Sequence, residues 1–407
     1  MIRLAVVGVG GYGFSLAEQI VAAAPQIGCM LVAAADNRMG ELTEQADWLA
    51  AQGVELFHSV EEMFSRLQGR CEGVYIGTGI PSHTSLTLAA ARAGYHVHLE
   101  KPPAATVQEM DQMSQALRET GRFCLVGVQS MHSTDLLAVK QRIVEGRLGQ
   151  IRSVTCHALW PRDAEYYSRN DWAGRLRSGQ AWVLDGPATN ACFHQVANAL
   201  LLATSQPGLA HPAAVRAELY AAGEVESHNL AAMRIRTTEG VSVQLILAHC
   251  TLGKTDPLTE IVGSKGRATW PAYGDGTIHY EDGTEEKFQH DAMMRRRMIG
   301  NFVEAIRSER DETLRFPLSE ARQAVLALNG AHESTRRIHR VEGPAVRIVD
   351  SGTPKARAVV EGLDELILQA SREGVLLSEL RSPPAWARRT EEFELDGYCR
   401  FPQIFSA

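Results

Sequence analysis

The segment IRLAVVGVGGYGFSLAEQIVAAA, residues 2–24, decides the fold of this 407-residue chain. Residues 2–7 are mainly apolar and read as a short strand of a buried sheet. GVGGYG follows at 8–13, and an alanine-rich helix is expected from there to about Ala24. Gly8, Gly10 and Gly13 hold the spacing GxGxxG, which serves three physical needs. These are a tight turn, close approach of backbone to a pyrophosphate, and close helix packing, with the helix amino terminus facing the anion. The pattern alone is short and common. Here a strand precedes it, a helix follows it, and Asp36 stands 23 residues beyond Gly13.

Working outward, the second apolar run, MLVAAAD, ends at Asp36. An acid there accepts hydrogen bonds from ribose hydroxyls and repels a 2'-phosphate, which favours NAD over NADP. Arg38, two residues on, suits a phosphate and works against that preference. Gly11, Tyr12, Asn37 and Arg38 are placed with the glycines and Asp36 around the dinucleotide. Further strands are expected at 73–77, 95–99 and 123–127, with helices around 61–67, 82–93 and 106–119. That alternation predicts a Rossmann-type, doubly wound parallel sheet.

Two stretches fall at the carboxyl edge of that sheet, where ligands bind. GTGIPSH, residues 77–83, sets Thr78 and Pro81 to shape the cofactor channel and His83 to lie against the cofactor; a plain helix entry through Pro81 and Ser82 is the competing reading. HVHLEKPP, residues 96–103, sets Glu100, Lys101 and Pro102 just past a short apolar strand. A lysine beside a glutamate is costly to bury without a task, and ordinary if it opens a surface loop.

GVGGYG, Asp36, TGIPSH at 78–83 and LEKPPA at 99–104 together resemble the Gfo/Idh/MocA oxidoreductase family. The resemblance extends through Gln129 and VKQRIVEGRLGQIRSV at 139–154. It implies an NAD(P)-dependent enzyme acting on CH–OH groups, with Lys101 near the nicotinamide and the reacting carbinol. Glu100 and Pro102 then position it, and Gln129 joins the cofactor residues.

Beyond residue 155 the likeness is looser. PRDAEYYSRNDWAG, 161–174, offers Arg162, Tyr167, Asn170 and Trp172 as contacts for a polyol, since a sugar presents hydroxyls and an apolar face; packing is the alternative. GQAWVLDGPATNACFHQVANALL, 179–201, departs from the family. Many members carry an aspartate four residues before a histidine, whereas Asn190 stands there before His194 and Asp185 lies nine residues upstream. Asn190, His194 and Asn198 recur at i, i+4 and i+8, a polar stripe on an apolar helix that is read as lining a pocket.

Oxidising a secondary alcohol needs a base for the hydroxyl proton. A histidine starts near pKa ~6.5, whereas a lysine must fall roughly three units, worth about 4 kcal/mol, to serve at neutral pH. His194 is therefore read as proton acceptor and Lys101 as the cation that orients the hydroxyl. Asp185 orients His194, and Asn190 binds substrate or replaces the family acid.

From about Val215 the chain becomes strand-rich, predicting an α+β domain with an open, mainly antiparallel sheet whose face serves a homodimer or homotetramer. Helices follow near 291–308 and 318–339. The expected domains are 1–128 for the dinucleotide, 129–340 for substrate and assembly, and 341–407 as an extension packing on the main body. A helix is expected from Pro354 through Ser371. Trp386, Phe393, Tyr398, Phe401 and Phe405 are too many aromatics for a solvated tail.

A net charge of -7 with 22% charged residues argues against a nucleic-acid surface. No apolar run reaches membrane-spanning length, and the amino terminus lacks a secretory pattern, so a cytoplasmic protein is expected. The seven cysteines form no CxxC pair, which predicts reduced thiols and no structural metal. The leading function is hydride transfer between NAD and a secondary alcohol of a sugar, inositol or sugar derivative. Glycoside cleavage through transient oxidation and elimination is the first alternative, and a non-catalytic NAD-binding regulator the second.

Overall fold

In the computed structural model, which describes residues 1–407, β1 (Ile2–Val7) lies inside a six-stranded parallel sheet. The other strands are β2 (Cys29–Ala35), β3 (Glu55–Phe57), β4 (Gly73–Ile76), β5 (His96–Leu99) and β6 (Cys124–Val126), in the order β3-β2-β1-β4-β5-β6. The order reverses between β1 and β4, which is where a doubly wound sheet opens its ligand crevice. Helices α1 (Tyr12–Ile27), α2 (Thr43–Ala51), α3 (Val60–Arg66), α4 (Ile80–Arg92) and α5 (Val107–Thr120) make the crossovers. α1 buries Leu16, Ala17, Ile20 and Ala23, one stripe at helical spacing. It runs three residues past the expected end and stops at Gly28, whose φ of 71° suits a left-handed cap.

The first compact unit comprises residues 1–104, 108–133 and 292–321, so the chain returns to it late. This differs from the contiguous boundaries expected at 128 and 340. The returning helix, Met294–Ser308, presents Phe302 edge-on to Tyr75 of β4 at 5.3 Å and to His98 of β5 at 5.8 Å. Gly73 leaves the room for this: a Cβ there would stand 2.8 Å from Ile306 and 2.9 Å from Phe302.

The second unit is built on a larger sheet. After α6 (Thr134–Val144) come β7 (Ile151–Leu159), the short helix α7 (Ala164–Ser168), the two-residue strands β8 (Arg177–Ser178) and β9 (Ala181–Trp182), and α8 (Phe193–Leu202). Seven strands follow: β10 (Pro212–Ala222), β11 (Leu230–Thr237), β12 (Ser242–Ala248), β13 (Thr255–Gly263), β14 (Gly266–Pro271), β15 (Gly276–Tyr280) and β16 (Glu285–Phe288). With β17 (His339–Val341) they assemble as β16-β15-β14-β13-β7-β12-β11-β10-β17. Pairing is antiparallel except for β7 with β12 and β10 with β17.

Part of this sheet's face, expected to be open for a partner, is covered by the chain's own carboxyl-terminal segment. Leu230, Ala232, Ile246 and Ala248 form one buried cluster with Leu363, Ile367, Ala370, Leu376 and Leu380. Polar latches ring the cluster: Glu379 bonds Arg234 at 2.8 Å, and Ser378 Oγ donates to Glu218 at 2.6 Å. The segment is also more sheet-like than expected. Val346–Val349 pairs antiparallel with Arg357–Val360, and the helix begins only at Leu363, after Gly362 in a left-handed conformation at φ 69°. The β-branched Val359 and Val360 help Arg357–Val360 to pair in a hairpin where a helix from Pro354 was expected.

The aromatic tail packs on its own chain. The Glu333 carboxylate is fully buried and accepts from Tyr398 Oη at 2.7 Å and from the backbone N–H groups of Gln403, Ile404 and Phe405 at 2.6 to 2.8 Å. Phe401 lies edge-on to Trp182, with ring centroids 5.1 Å apart. No helix is long and apolar enough to cross a membrane.

Candidate active site

In the first unit the glycine turn is a cradle closed by backbone. Gly8 has a φ of 84°, and a Cβ on it would stand 2.8 Å from Thr78 Cγ2. A Cβ on Gly13 would collide with the Gly8 carbonyl, so α1 packs as close to the turn as the fingerprint requires. Gly10 lies beneath Arg38, whose Nη2 would be 3.0 Å from a Cβ there. Asp36, nearly buried, is aimed by two backbone donors: Val9 N–H at 2.9 Å to Oδ2 and Arg38 N–H at 2.8 Å to Oδ1. Asn37 and Arg38 are exposed beside it, and Tyr12 opens α1 with two-fifths of its surface exposed. A cradle that only glycine fills, at a helix amino terminus and beside an anchored carboxylate, fits a dinucleotide.

The EKP loop leaves β5 at the same sheet edge. Glu100 is buried, with its carboxyl against Gly127, where a Cβ would come within 2.5 Å of Oε1. Burial pushes its pKa up to about 7, against the opposing charges of Lys101 and Arg295. Lys101 is half-buried beside it, and the Lys101–Pro102 peptide is cis.

His83 plays a different part from the one expected. Its ring is enclosed, with Nδ1 2.8 Å from the Pro102 carbonyl and Nε2 3.0 Å from the Thr78 carbonyl. It therefore ties the β4–α4 turn to the EKP loop. Burial pushes its pKa down, partly opposed by those two carbonyls. Pro81 occupies the first turn of α4, and the Thr78 hydroxyl accepts from Ser82 at 2.7 Å. The helix entry through Pro81 and Ser82 is thus present. Gln129 begins a short 3-10 turn after β6 and is half-buried.

In the second unit the candidate acid is held firmly. Leu184 takes a left-handed conformation at φ 53°, uncommon for a leucine, and turns the chain into Asp185. Asp185 is buried; Oδ2 accepts from Gly174 N–H at 2.6 Å and Oδ1 from Asn190 Nδ2 at 2.7 Å. Arg169 approaches at 3.6 Å. Asn190 is not part of α8: it lies in a π-helical turn, Pro187–Ala191, that precedes Phe193. The single α-helical stripe expected through Asn190, His194 and Asn198 is therefore interrupted. His194, half-buried, and Asn198, fully buried, remain one turn apart on α8.

α7 adds residues that the sequence reading missed. The Arg169 guanidinium lies 3.7 Å from the Tyr166 ring centroid and 5.3 Å from that of Trp172, and Arg162 lies 4.7 Å from Tyr166. Burial pushes the Tyr166 pKa up to about 12, with the Asp185 charge adding to it. His249 lies edge-on to Tyr166 at 5.8 Å, its pKa pushed well down by burial and then by both arginines. Tyr166 on α7 and Arg169 at its carboxyl end are three residues apart, whereas Arg162 lies ahead of the helix, so only the Tyr166–Arg169 pair was visible in principle. Arg162, Tyr167 and Asn170 line a cavity of about 660 Å³, which Asp185, Asn190 and His194 do not line. A larger cavity, about 970 Å³, lies in the first unit around Glu72, His96 and Arg122, and holds none of the expected site residues.

Comparison with known proteins agrees with this geometry. Residues 2–128 match the model of an oxidoreductase family with an NAD-binding Rossmann fold, and residues 136–269 match the GFO/IDH/MocA C-terminal domain. The chain is 28% identical over 157 residues to a glycosyl hydrolase family 109 protein of Solibacter usitatus, covering 37% of this chain and 35% of that one. It is 29% identical over 150 residues to the scyllo-inositol 2-dehydrogenase (NAD(+)) of Bacillus subtilis, covering 37% of this chain and 42% of that one. The chain thus spans roughly a third to two-fifths of the length of these relatives. In structure it resembles a levoglucosan dehydrogenase solved with NADH and levoglucosan, at TM-score 0.69 and 19% identity, over 82% of this chain and 96% of that one. With both halves matched in order, the chain belongs to the GFO/IDH/MocA oxidoreductase family.

Proposed function

We propose that this protein is an NAD-dependent dehydrogenase acting on a secondary alcohol of a sugar, inositol or sugar derivative. The observation that carries the reading is the glycine cradle beside Asp36, whose carboxylate two backbone N–H groups aim. Gly8, Gly10, Gly11, Tyr12 and Gly13 would hold the dinucleotide, Asp36 its ribose hydroxyls, and Thr78, Pro81 and Gln129 the remainder. NAD, when bound, supplies a hydride acceptor. Asp36 favours NAD over NADP by charge.

On the protein's side, His194 takes the hydroxyl proton and Lys101 stabilises the developing alkoxide, because an imidazole starts nearer a useful pKa than an ammonium. Asp185 and Asn190 act as one hydrogen-bonded unit in the substrate half. Relatives named as inositol and glucoside dehydrogenases support the substrate class. Lys101→Ala should abolish NADH formation from a panel of sugars and inositols while NAD binding persists; full retained turnover would refute the assignment. Relatives named as glycosyl hydrolases favour a second reading, glycoside cleavage with the hydride returned in each turnover. Product release without net NADH identifies that case.

A further inference from the structure

The carboxyl-terminal segment that covers the sheet also closes the cavity beside α7. The start of α7 is joined to residues 354–356 by backbone bonds, Ala164 N–H to the Ala356 carbonyl at 2.8 Å and Glu165 N–H to the Pro354 carbonyl at 2.9 Å. Lys355 pairs across the same seam with Asp163 at 3.2 Å and Glu165 at 2.5 Å. The cavity of about 660 Å³ is lined from one segment by Arg162, Tyr167 and Asn170 and from the other by Ile348 and Ala356. That volume is in the range of small-molecule sites.

Its chemistry has two faces. The polar side of the wall is formed by Arg162, Ser168 and Asn170, while the Arg162 Nε and the Tyr167 hydroxyl lie behind it, shut off from solvent. Ile348 is half exposed, an uncovered apolar side chain on the same wall. Arg162, Arg175 and Arg357 share the lining with Asp163, Glu224 and Glu226, so the charges balance and favour neither an anion nor a cation, while these groups and Asn170 disfavour a purely apolar ligand. A sugar ring combines a rim of donors and acceptors with an apolar C–H face. The wall also meets the candidate acid, because Gly174 lines the cavity and donates its N–H to Asp185.

We propose that this cavity is a subsite for a neutral sugar unit other than the one oxidised, so that the substrate is a disaccharide or comparable glycoside. The proposal rests on the dehydrogenase reading above. The subsite depends on the carboxyl-terminal segment, which lies beyond the part of the chain matched by the family models.

The test uses the full-length protein with NAD, and maltose, cellobiose and lactose set against glucose and galactose. Wild type should show kcat/KM at least about tenfold higher for one disaccharide than for its component sugars. Ile348→Trp, at a half-exposed position that tolerates bulk, and Ala356→Trp should bring that ratio toward one and leave monosaccharide rates within about twofold. A ratio of one in wild type, or an unchanged ratio in both variants, overturns the subsite. If none of these sugars yields NADH, the dehydrogenase reading is judged by the wider panel of sugars and inositols, and the subsite by thermal midpoint in the same disaccharides. A rise in wild type that Ile348→Trp abolishes upholds it; no rise, or equal rises, overturns it.

Discussion

Asn190 Nδ2 donates to Asp185 Oδ1 at 2.7 Å, which makes a buried amide the partner of the candidate acid. Asn190→Ala removes that donor and should cost about 1–3 kcal/mol, with little pH dependence. Asn190→Asp instead sets a second carboxyl against the first, and the pair's apparent pKa rises because both cannot ionise cheaply. A carboxyl pKa raised in the folded state means stability lost as pH climbs from the unfolded value to the folded one. Urea unfolding should therefore show a larger deficit for Asn190→Asp at pH 8 than at pH 5, and equal deficits would contradict the coupling.

How far the site was legible depended on local pattern. The strand, GxGxxG and Asp36 formed one continuous local unit, and α1 and β2 appear where the pattern put them. Asn190, His194 and Asn198 carry the same four-residue spacing whether or not a π turn intervenes, so the interruption before α8 left no trace in the sequence. The covering of β10, β11 and β12 was hidden for another reason: alternating apolar residues announce a buried face without naming what buries it. Tyr166 and Arg169 were passed over because polar and aromatic residues were weighed singly rather than as one turn of helix.

The tail offers a second test through Glu333. Its carboxylate receives four donors from Tyr398 and from the backbone of 403–405, so Glu333→Gln puts an amide among N–H groups with too few acceptors. A loss of about 2–4 kcal/mol in urea unfolding is expected. Phe401→Ala should cost about 3–5 kcal/mol and loosen Trp182, three residues before Asp185. Turnover should fall while NAD affinity, read by fluorescence titration, stays within about twofold. A matching fall in NAD affinity would show that the effect is general unfolding.

Cofactor choice turns on Asp36 against Arg38. With Arg38 lying across Gly10, removing the acid leaves a cation suited to a 2'-phosphate. Asp36→Ser should raise the NADP-to-NAD ratio of kcat/KM by about ten- to a hundredfold, a shift of about 1.4–2.8 kcal/mol. Arg38→Ala added to it should take most of that gain away. If the single variant loses both cofactors equally, Asp36 serves the turn through its bonds to Val9 and Arg38 and does not select.

Glu100 sets a pH dependence of stability with a definite sign. Its folded pKa stands at about 7 against an ordinary 4.5, because burial outweighs the charges of Lys101 and Arg295. The folded state therefore holds a proton that the unfolded chain releases. Stability is full below about pH 4.5, falls as pH rises toward 7, and is level above it, for a total on the order of 3 kcal/mol. Glu100→Gln keeps the uncharged shape and should remove that fall, so the difference between variant and wild type grows in the variant's favour from pH 5 to pH 8. Urea midpoints at the two pH values measure it. A wild type whose stability rises across this interval, relative to the variant, would mean that Lys101 and Arg295 hold the carboxylate ionised.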